Sequence, residues 1–455
     1  MSLMIAFGWL CIMLLIGVIL RAKIKLFKNI LMPACVIGGI LGFILLNVGV
    51  IWNVDFNMFN QMTTELFTLS FISLGLTGLS SDSEDESVGK TVMKGGIGLA
   101  CVWTLLWAIT PLIGYAVVKI MEVFTDMNAV YGLLIPTAFC DGPGQAMIFG
   151  NMFESYGWEN ASQVGVMFAV TGFLYAFIVG VPLAKWGMKR GIAKHAKEIP
   201  EPVAKGIFKK EEQNESLGNA TTYSGNIDTL ALHIALLGLC YIGAAGLSKL
   251  AAFIPGTIGV TLSGFMFIWG LICAYIVRWI MGKLNLLQYT NDILQTRITG
   301  ACTDLLVCSA FMAIQIQLIS SWMIPILIVT AVSALVTFVV CVYLGSRMGS
   351  EHDFERTLAI YGCATGTTPT GIALVRIVDP NFETPASTEL GAMNVVAMAT
   401  SAGVYIAIPA IAQIVASGVG SILLWVGVCI VTAIGCLVLM KIFRVWGKPT
   451  WRFRK

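Results

Sequence analysis

The sequence predicts an all-α polytopic membrane protein, with about 11 transmembrane helices in two inverted repeats, each carrying a re-entrant hairpin between its fourth and fifth spans. Three observations predict it. Of 455 residues, 57% belong to the set AVILMFWYC and 12% are charged, with a mean hydropathy of +0.84. A soluble domain carries about 45–50% apolar and about 25% charged residues, so this chain lacks the charge to wet a globular surface. Apolar runs of bilayer-crossing length recur along the whole chain, and two of them are broken by Gly and Pro. The basic residues sort to one side of those runs.

A helix needs about 20 mostly apolar residues to cross the bilayer core. Eleven stretches qualify: 3–20, 31–52, 63–80, 95–120, 162–184, 229–250, 257–280, 298–319, 322–345, 389–416 and 420–440. No basic region precedes the first and no small-residue cleavage site follows it, so it reads as a retained span and not as a signal peptide. Two further apolar stretches, 129–153 and 357–378, are interrupted by Cys140-Asp141-Gly142-Pro143-Gly144 and Gly366-Thr367-Thr368-Pro369-Thr370. Backbone groups freed by such a break cost several kcal/mol each in lipid, which favours hairpins returning to their own side over straight spans.

With the N-terminus outside and each hairpin returning, 26 of the 28 Lys and Arg residues fall on the inner side, leaving Lys119 and Lys249 outside. That asymmetry supports a multi-pass protein of the inner membrane with its C-terminus in the cytoplasm. The predicted organisation is a first repeat at 1–187, a cytoplasmic linker at 188–228 that is flexible in its Asn- and Ser-rich second half, a second repeat at 229–418, and an extra span with a basic tail at 419–455. The acidic run 81–87 is a solvated inner loop or a regulatory site. A net charge of +3 is too balanced to argue for nucleic acid. The 12 cysteines contain no CxxC pair and lie mostly inside apolar runs, so they read as small core residues. His195, His233 and His352 assemble no metal site.

The first half ends inside, so the second runs upside down relative to it. Pro33 followed by Gly42-Phe43 is repeated as Pro255 followed by Gly264-Phe265. Glu65-Leu66-Phe67 with Ser70 is repeated as Asp304-Leu305-Leu306 with Ser309, and Cys140 at the first break as Cys363 before the second. These matches keep their order, as an inverted repeat requires. Inverted repeats with discontinuous helices are a transporter architecture, because halves of opposite orientation can exchange outward-open and inward-open states around a midplane site.

Three segments carry a family resemblance: Pro33-Ala34-Cys35-Val36-Ile37-Gly38-Gly39; the stretch from Tyr156-Gly157-Trp158-Glu159-Asn160 through Gly180-Val181-Pro182; and Gly366-Thr367-Thr368-Pro369-Thr370-Gly371-Ile372. In these, and in span order over most of residues 1–415, the chain resembles the glutamate:sodium symporters. The resemblance implies a homodimeric secondary transporter with an elevator-type mobile domain, Na⁺ as coupling ion, no other cofactor, and glutamate or a related small anion as substrate. It departs in its first hairpin, where the family has Gly-Gly-x-Gly and this chain has the Cys140–Gly144 sequence, in its last span, and in its acidic loop.

Asp141 binds Na⁺ or a substrate ammonium, or else caps the hairpin turn, since a carboxylate at membrane depth costs about 2.5 kcal/mol or more unless paired or hydrated. Gly142, Gly144 and Gln145 line the same tip, where Gly permits either close approach of a ligand or merely a tight turn. Thr367, Thr368, Pro369 and Thr370 form the second tip on the substrate side, with Thr365 and Gly366 as Na⁺ ligands; the alternative is self-capping by Thr. Arg376 forks a substrate carboxylate, or anchors the segment against Asp379 or lipid phosphate. Ser70, Ser309, Asn394 and Thr400 are further Na⁺ candidates, the last two weighed against helix–helix hydrogen bonding. Glu65 and Asp304 are interfacial caps or cation ligands, and Gln315 and Gln317 face water or the partner repeat. The competing functions are a transporter of another amino acid or a di- or tricarboxylate, a channel, and an intramembrane aspartyl hydrolase using Asp141 and Asp304. No enzyme activity is the favoured expectation.

Overall fold

In a computed structural model the described residues are 3–51, 54–77, 86–193, 195–196, 199, 201–207, 216–255, 257–380, 382–417 and 423–453. Most of the acidic run 81–87 lies outside them. Among these residues the chain is helical. The N-terminal half holds α1 (Leu3–Lys23), α2 (Lys25–Ile30), α3 (Ala34–Asn47), α4 (Phe56–Leu76), α5 (Glu86–Met121), α6 (Ile135–Phe139), α7 (Pro143–Ser155), α8 (Ala161–Lys189) and the short α9 (Glu201–Lys205). The C-terminal half holds α10 (Thr229–Ala251), α11 (Thr257–Gly264), α12 (Met266–Lys283), α13 (Asp292–Met312), α14 (Ile316–Ile319), α15 (Met323–Gly345), α16 (Asp353–Cys363), α17 (Thr368–Val378), α18 (Ala386–Ala416) and α19 (Leu423–Ile442).

Helix starts follow capping chemistry. Asp55 accepts the Asn57 N–H at 2.9 Å before α4, Asp228 the Leu230 N–H at 2.8 Å before α10, and Asn291 the Leu294 N–H at 2.9 Å before α13. Those caps explain why α4 begins at Phe56, ahead of the predicted 63–80, and α13 at Asp292, ahead of the predicted 298–319. The predicted span 257–280 is divided at Phe265 into α11 and α12.

Among the described residues, eight helices are long and apolar enough to cross a membrane: Leu3–Lys23, Val92–Met121, Ala161–Lys189, Thr229–Ala251, Met266–Lys283, Ile316–Gly345, Val396–Ala416 and Leu424–Ile442. The predicted 31–52, 63–80 and 298–319 are not in this set. For 31–52 the reason is length, since α3 has 14 residues and reaches about 21 Å at 1.5 Å per residue. For 63–80 and 298–319 it is polarity, since α4 carries several Asn, Thr and Ser residues and α13 carries Asp292, Arg297 and Asp304 among its Thr residues.

The described helices divide into two compact units, each drawn from both halves of the chain. The first unit gathers the first part of α1, most of α3, and α4 and α10–α13. Its polar helices hide their polar groups in one another: Ser309 donates to the Phe59 carbonyl at 2.8 Å, and Ser73 receives the Gln295 amide and the Thr299 hydroxyl, each at 2.8 Å. Glu65 accepts the hydroxyl of Tyr241. Ile72, Leu76, Leu237, Cys240, Cys273 and Ala274 form a buried apolar cluster beside them. At the end of the linker, the Thr221 hydroxyl donates to the Tyr289 carbonyl at 2.8 Å and the Thr222 hydroxyl to the Ile227 carbonyl at 2.9 Å.

The second unit gathers α2, α5–α9 and α14–α19. Within it α5 and α8 are mostly buried, whereas α19 exposes much of its apolar surface, and in the first unit α10 and α12 do the same. Exposed apolar helices of this length are those a bilayer covers.

Candidate functional site

Both interrupted segments lie in the second unit. α6 ends at Phe139, and the chain turns through Cys140, Asp141 and Gly142 into α7, which starts on Pro143. Gly142 has φ +81, a conformation that side chains with a Cβ rarely adopt, and a Cβ built there would lie 2.6 Å from Thr367 Cγ2. Pro143 suits the first helical position because its missing N–H is unpaired there in any residue. The second segment repeats the plan: α16 ends at Cys363, the chain passes through Ala364, Thr365, Gly366 and Thr367, and α17 opens with Thr368 and Pro369. The residues preceding α7 and α17, Gly142 and Thr367, are thus in contact, so two helix N-termini adjoin. Each leaves first-turn N–H groups without intrahelical acceptors and carries a partial positive charge suited to an anion.

α8 crosses both breaks at Gly172. A Cβ there would stand 2.8 Å from the Thr365 carbonyl oxygen and 3.2 Å from the Phe139 ring. α5 supplies an aromatic wall. Trp103 donates its indole N–H to the Cys140 carbonyl at 3.4 Å, and Trp107 stacks on Tyr405 of α18 with ring centroids 4.2 Å apart.

Asp141 is the charged candidate that lies at the first break. It is half-buried and accepts the Tyr405 hydroxyl on Oδ2 at 3.0 Å. Among the described residues it has no cationic partner and accepts no backbone N–H, so it does not cap the turn. Gln145, one turn into α7, is fully buried beside Tyr405, and among the described residues neither its amide nitrogen nor its oxygen makes a hydrogen bond of ordinary geometry. Gly144 is buried in the same turn.

At the second break the hydroxyls of Thr367 and Thr370 lie 3.1 Å apart, and Thr368 donates to Asn394 Oδ1 at 3.4 Å. Thr365 is buried and donates back to the Tyr361 carbonyl at 2.7 Å, and its own carbonyl lies against Gly172. Gly366 closes the turn, with its N–H on the Cys363 carbonyl at 3.4 Å. Pro369 is exposed. Thr400 meets Thr104 hydroxyl to hydroxyl at 2.7 Å, a helix–helix bond between α18 and α5.

Other candidates are placed elsewhere. Arg376 is exposed on the last turn of α17, about 12 Å along the helix from Thr368 at 1.5 Å per residue, with its guanidinium 4.8 Å above the Phe382 ring. Asp379, its predicted partner, spends its carboxylate on the Glu383 and Thr384 N–H groups at 2.9 and 2.8 Å and the Thr384 hydroxyl at 2.7 Å. Ser70 and Ser309 belong to the first unit, and their hydroxyls serve backbone carbonyls, Ser70 that of Phe67 at 2.7 Å. Gln315 also belongs to the second unit; its N–H donates to Gln163 Oε1 at 2.7 Å. Sequence reasoning missed Gly172, Trp103, Trp107 and Tyr405, because nothing local distinguishes a packing Gly or an aromatic inside an apolar run from its neighbours. It also missed a buried group, Asp353, Arg356 and Glu389, which is legible as charge at apolar depth.

The fold and the site define a multi-pass helical membrane protein whose polar centre is built where two interrupted helices meet. More particularly, the chain belongs to the sodium/glutamate symporter family, which matches residues 1–384. It is similar to the sodium/glutamate symporters of Haemophilus influenzae, at 23% identity over 82% of this chain and 87% of the relative, and of Escherichia coli, at 24% over 81% and 87%. Among solved structures it is similar to a sodium proton antiporter from Methanocaldococcus jannaschii, with a TM-score of 0.35 and 16% identity over 90% of this chain and 100% of that one.

Proposed function

We propose that this protein is a Na⁺-coupled symporter for glutamate or a related small organic anion, working by elevator-type alternating access. The observation that carries the reading is Asp141, a carboxylate that the fold withdraws from solvent and provides with a hydroxyl but with no cation among the described residues. Such a group is stabilised by a cation that arrives with the substrate: Na⁺ or the substrate's ammonium. The adjoining N-termini of α7 and α17 favour a carboxylate, with Thr367, Thr368 and the buried amide of Gln145 as hydrogen-bonding groups. A ligand with both an ammonium and a carboxylate uses all of these, which favours an amino acid over a tricarboxylate. Na⁺ ligands are sought among Asp141, the carbonyls of Thr365 and Gly366, and the side chain of Asn394; Ser70, Ser309, Thr400 and Arg376 leave the proposal for the reasons given above.

In the same reading the two interrupted segments are re-entrant hairpins in inverted repeats of an 11-span protein, with the N-terminus outside, the C-terminus cytoplasmic, and two copies forming a homodimer in the lipid bilayer. Purified protein in liposomes tests it. An inward Na⁺ gradient should drive accumulation of labelled glutamate or aspartate, helped by about 2.3 kcal/mol per net charge per 100 mV of inward-negative potential. Absence of accumulation of any amino acid or dicarboxylate under that gradient would refute it.

A further inference from the structure

The described tail after α19 extends beyond the part of the chain that the family matches. It does not run free. The Gly447 N–H donates to the Arg347 carbonyl at 2.7 Å and the Thr450 N–H to the Ser346 carbonyl at 2.8 Å. These carbonyls lie just past the C-terminus of α15, where the helix itself offers no N–H. The Thr450 hydroxyl donates to Asp353 Oδ2 at 2.9 Å. Trp451 is 7% exposed and packs its ring 5.2 Å from Phe354 and 6.1 Å from Trp186, centroid to centroid.

Asp353 opens α16 and is fully buried. It draws in the turn from α15 by accepting the Gly349 and Ser350 N–H groups at 2.9 and 3.1 Å, and accepts Arg356 Nη1 at 3.2 Å. Arg356 in turn grips Glu389 with two nitrogens, Nε to Oε2 at 2.6 Å and Nη2 to Oε1. Glu389 is fully buried on the first turn of α18 and pressed against Gly95 of α5, where a Cβ would nearly coincide with its carboxylate. The buried group thus holds two carboxylates against one guanidinium, and Asp353 depends on its N–H and hydroxyl donors for the rest of its stabilisation. α16 leads to the second break, and α18 carries Asn394 and Tyr405, which touch Thr368 and Asp141.

We propose that Thr450 and Trp451 are positioning residues for transport: the tail clamps the α15–α16 turn and, through Asp353, Arg356 and Glu389, sets how α16 and α18 present the second break to ligand. The proposal rests on the symport reading, and its test separates the two. Thr450→Val, Thr450→Ser and Trp451→Ala are compared with the parent in liposomes for uptake against Na⁺ concentration, and in detergent for amide hydrogen exchange over 346–368 and 386–405. Thr450→Val should speed exchange in both segments roughly three- to tenfold and raise the half-saturating Na⁺ concentration by a similar factor, while exchange in α4 and α13 stays unchanged and Thr450→Ser behaves as the parent. Trp451→Ala should do the same by uncovering Phe354. Parental exchange and parental Na⁺ dependence in both Thr450→Val and Trp451→Ala would overturn the clamp. Failure of the parent to take up any substrate would overturn the symport reading and leave the exchange result to decide the clamp.

Discussion

Replacing Asp141 by Asn keeps the shape of the side chain and an oxygen for the Tyr405 hydroxyl, and removes one charge. Two opposite effects follow from the same geometry. Without Na⁺, the parent holds a half-buried carboxylate with one hydroxyl donor and no cation among the described residues, a destabilising arrangement that Asn relieves. In Na⁺, a cation beside the carboxylate gains about 4 kcal/mol at 4 Å with an effective dielectric constant near 20. Removing that charge should weaken Na⁺ binding by roughly two to three orders of magnitude. Thermal melting of the purified protein reads both: Asp141→Asn should melt at or above the parent in Na⁺-free buffer and lose the parent's rise with Na⁺. At a concentration near 100 Kd that rise corresponds to about 2.7 kcal/mol. Uptake at ordinary Na⁺ should fall below detection. If Asp141→Asn keeps the parent's Na⁺-dependent melting and uptake, the carboxylate is not the cation's partner and the reasoning fails at its first step.

Other perturbations follow from the same contacts. Tyr405→Phe removes the 3.0 Å hydroxyl donor to Asp141 and should cost about 1.5–3 kcal/mol of ligand binding, seen as a tenfold or greater rise in half-saturation with normal folding. Gly172→Ala should abolish uptake while Gly8→Ala does not, because the new methyl meets the Thr365 carbonyl at 2.8 Å in the one case and nothing within 4 Å in the other. Arg356→Met should destabilise the protein by about 3–5 kcal/mol, since it strands the buried Glu389 and Asp353 carboxylates; an unchanged melting temperature would remove the ion group from the account. His352, in the turn before α16, is held below its ordinary value, chiefly by burial and further by Arg356 and His195, against the raising influence of Glu351 and Glu389. A folded value below the unfolded value of about 6.5 means that stability is full above that pH and declines as pH falls from it toward the folded value. His352→Asn should therefore flatten melting temperature between about pH 7 and pH 5.5, and a curve as steep as the parent's would assign the decline elsewhere.

The two breaks were legible because Gly-Pro and Thr-Pro-Thr interrupt apolar runs where no straight helix tolerates them, and Asp141 because charge is rare at that depth. What single-sequence reasoning cannot supply is which turn meets which. Gly142 announces a tight turn, but its contact with Thr367 joins residues far apart in the chain. Length and composition alone leave out α3, which is short, and α4 and α13, which bury Thr, Ser and Gln against each other within the first unit; polarity satisfied by a neighbouring helix looks, in sequence, like the same polarity left exposed.

The placement of the site in one unit bears on mechanism. Asp141, Gln145, Thr367, Thr368, Asn394, Tyr405, Trp107 and Gly172 all belong to the second unit, so that unit can hold its ligand with its own side chains. A carrier that moves its cargo as one body needs this, whereas a mechanism that assembles its site from two bodies needs ligands from both. Ser70 and Ser309 are the residues on which the distinction turns, because they were the Na⁺ candidates of the first unit and the fold gives their hydroxyls to the carbonyls of Phe67 and Phe59. Hydrogen exchange with and without Na⁺ and substrate separates the cases. A site carried by one unit protects 140–146, 365–371 and 394–405 together and leaves α4 and α13 at their unliganded rates. Protection at Ser70 and Ser309 of the same size as at the breaks would return those residues to the ion site and take the elevator reading away.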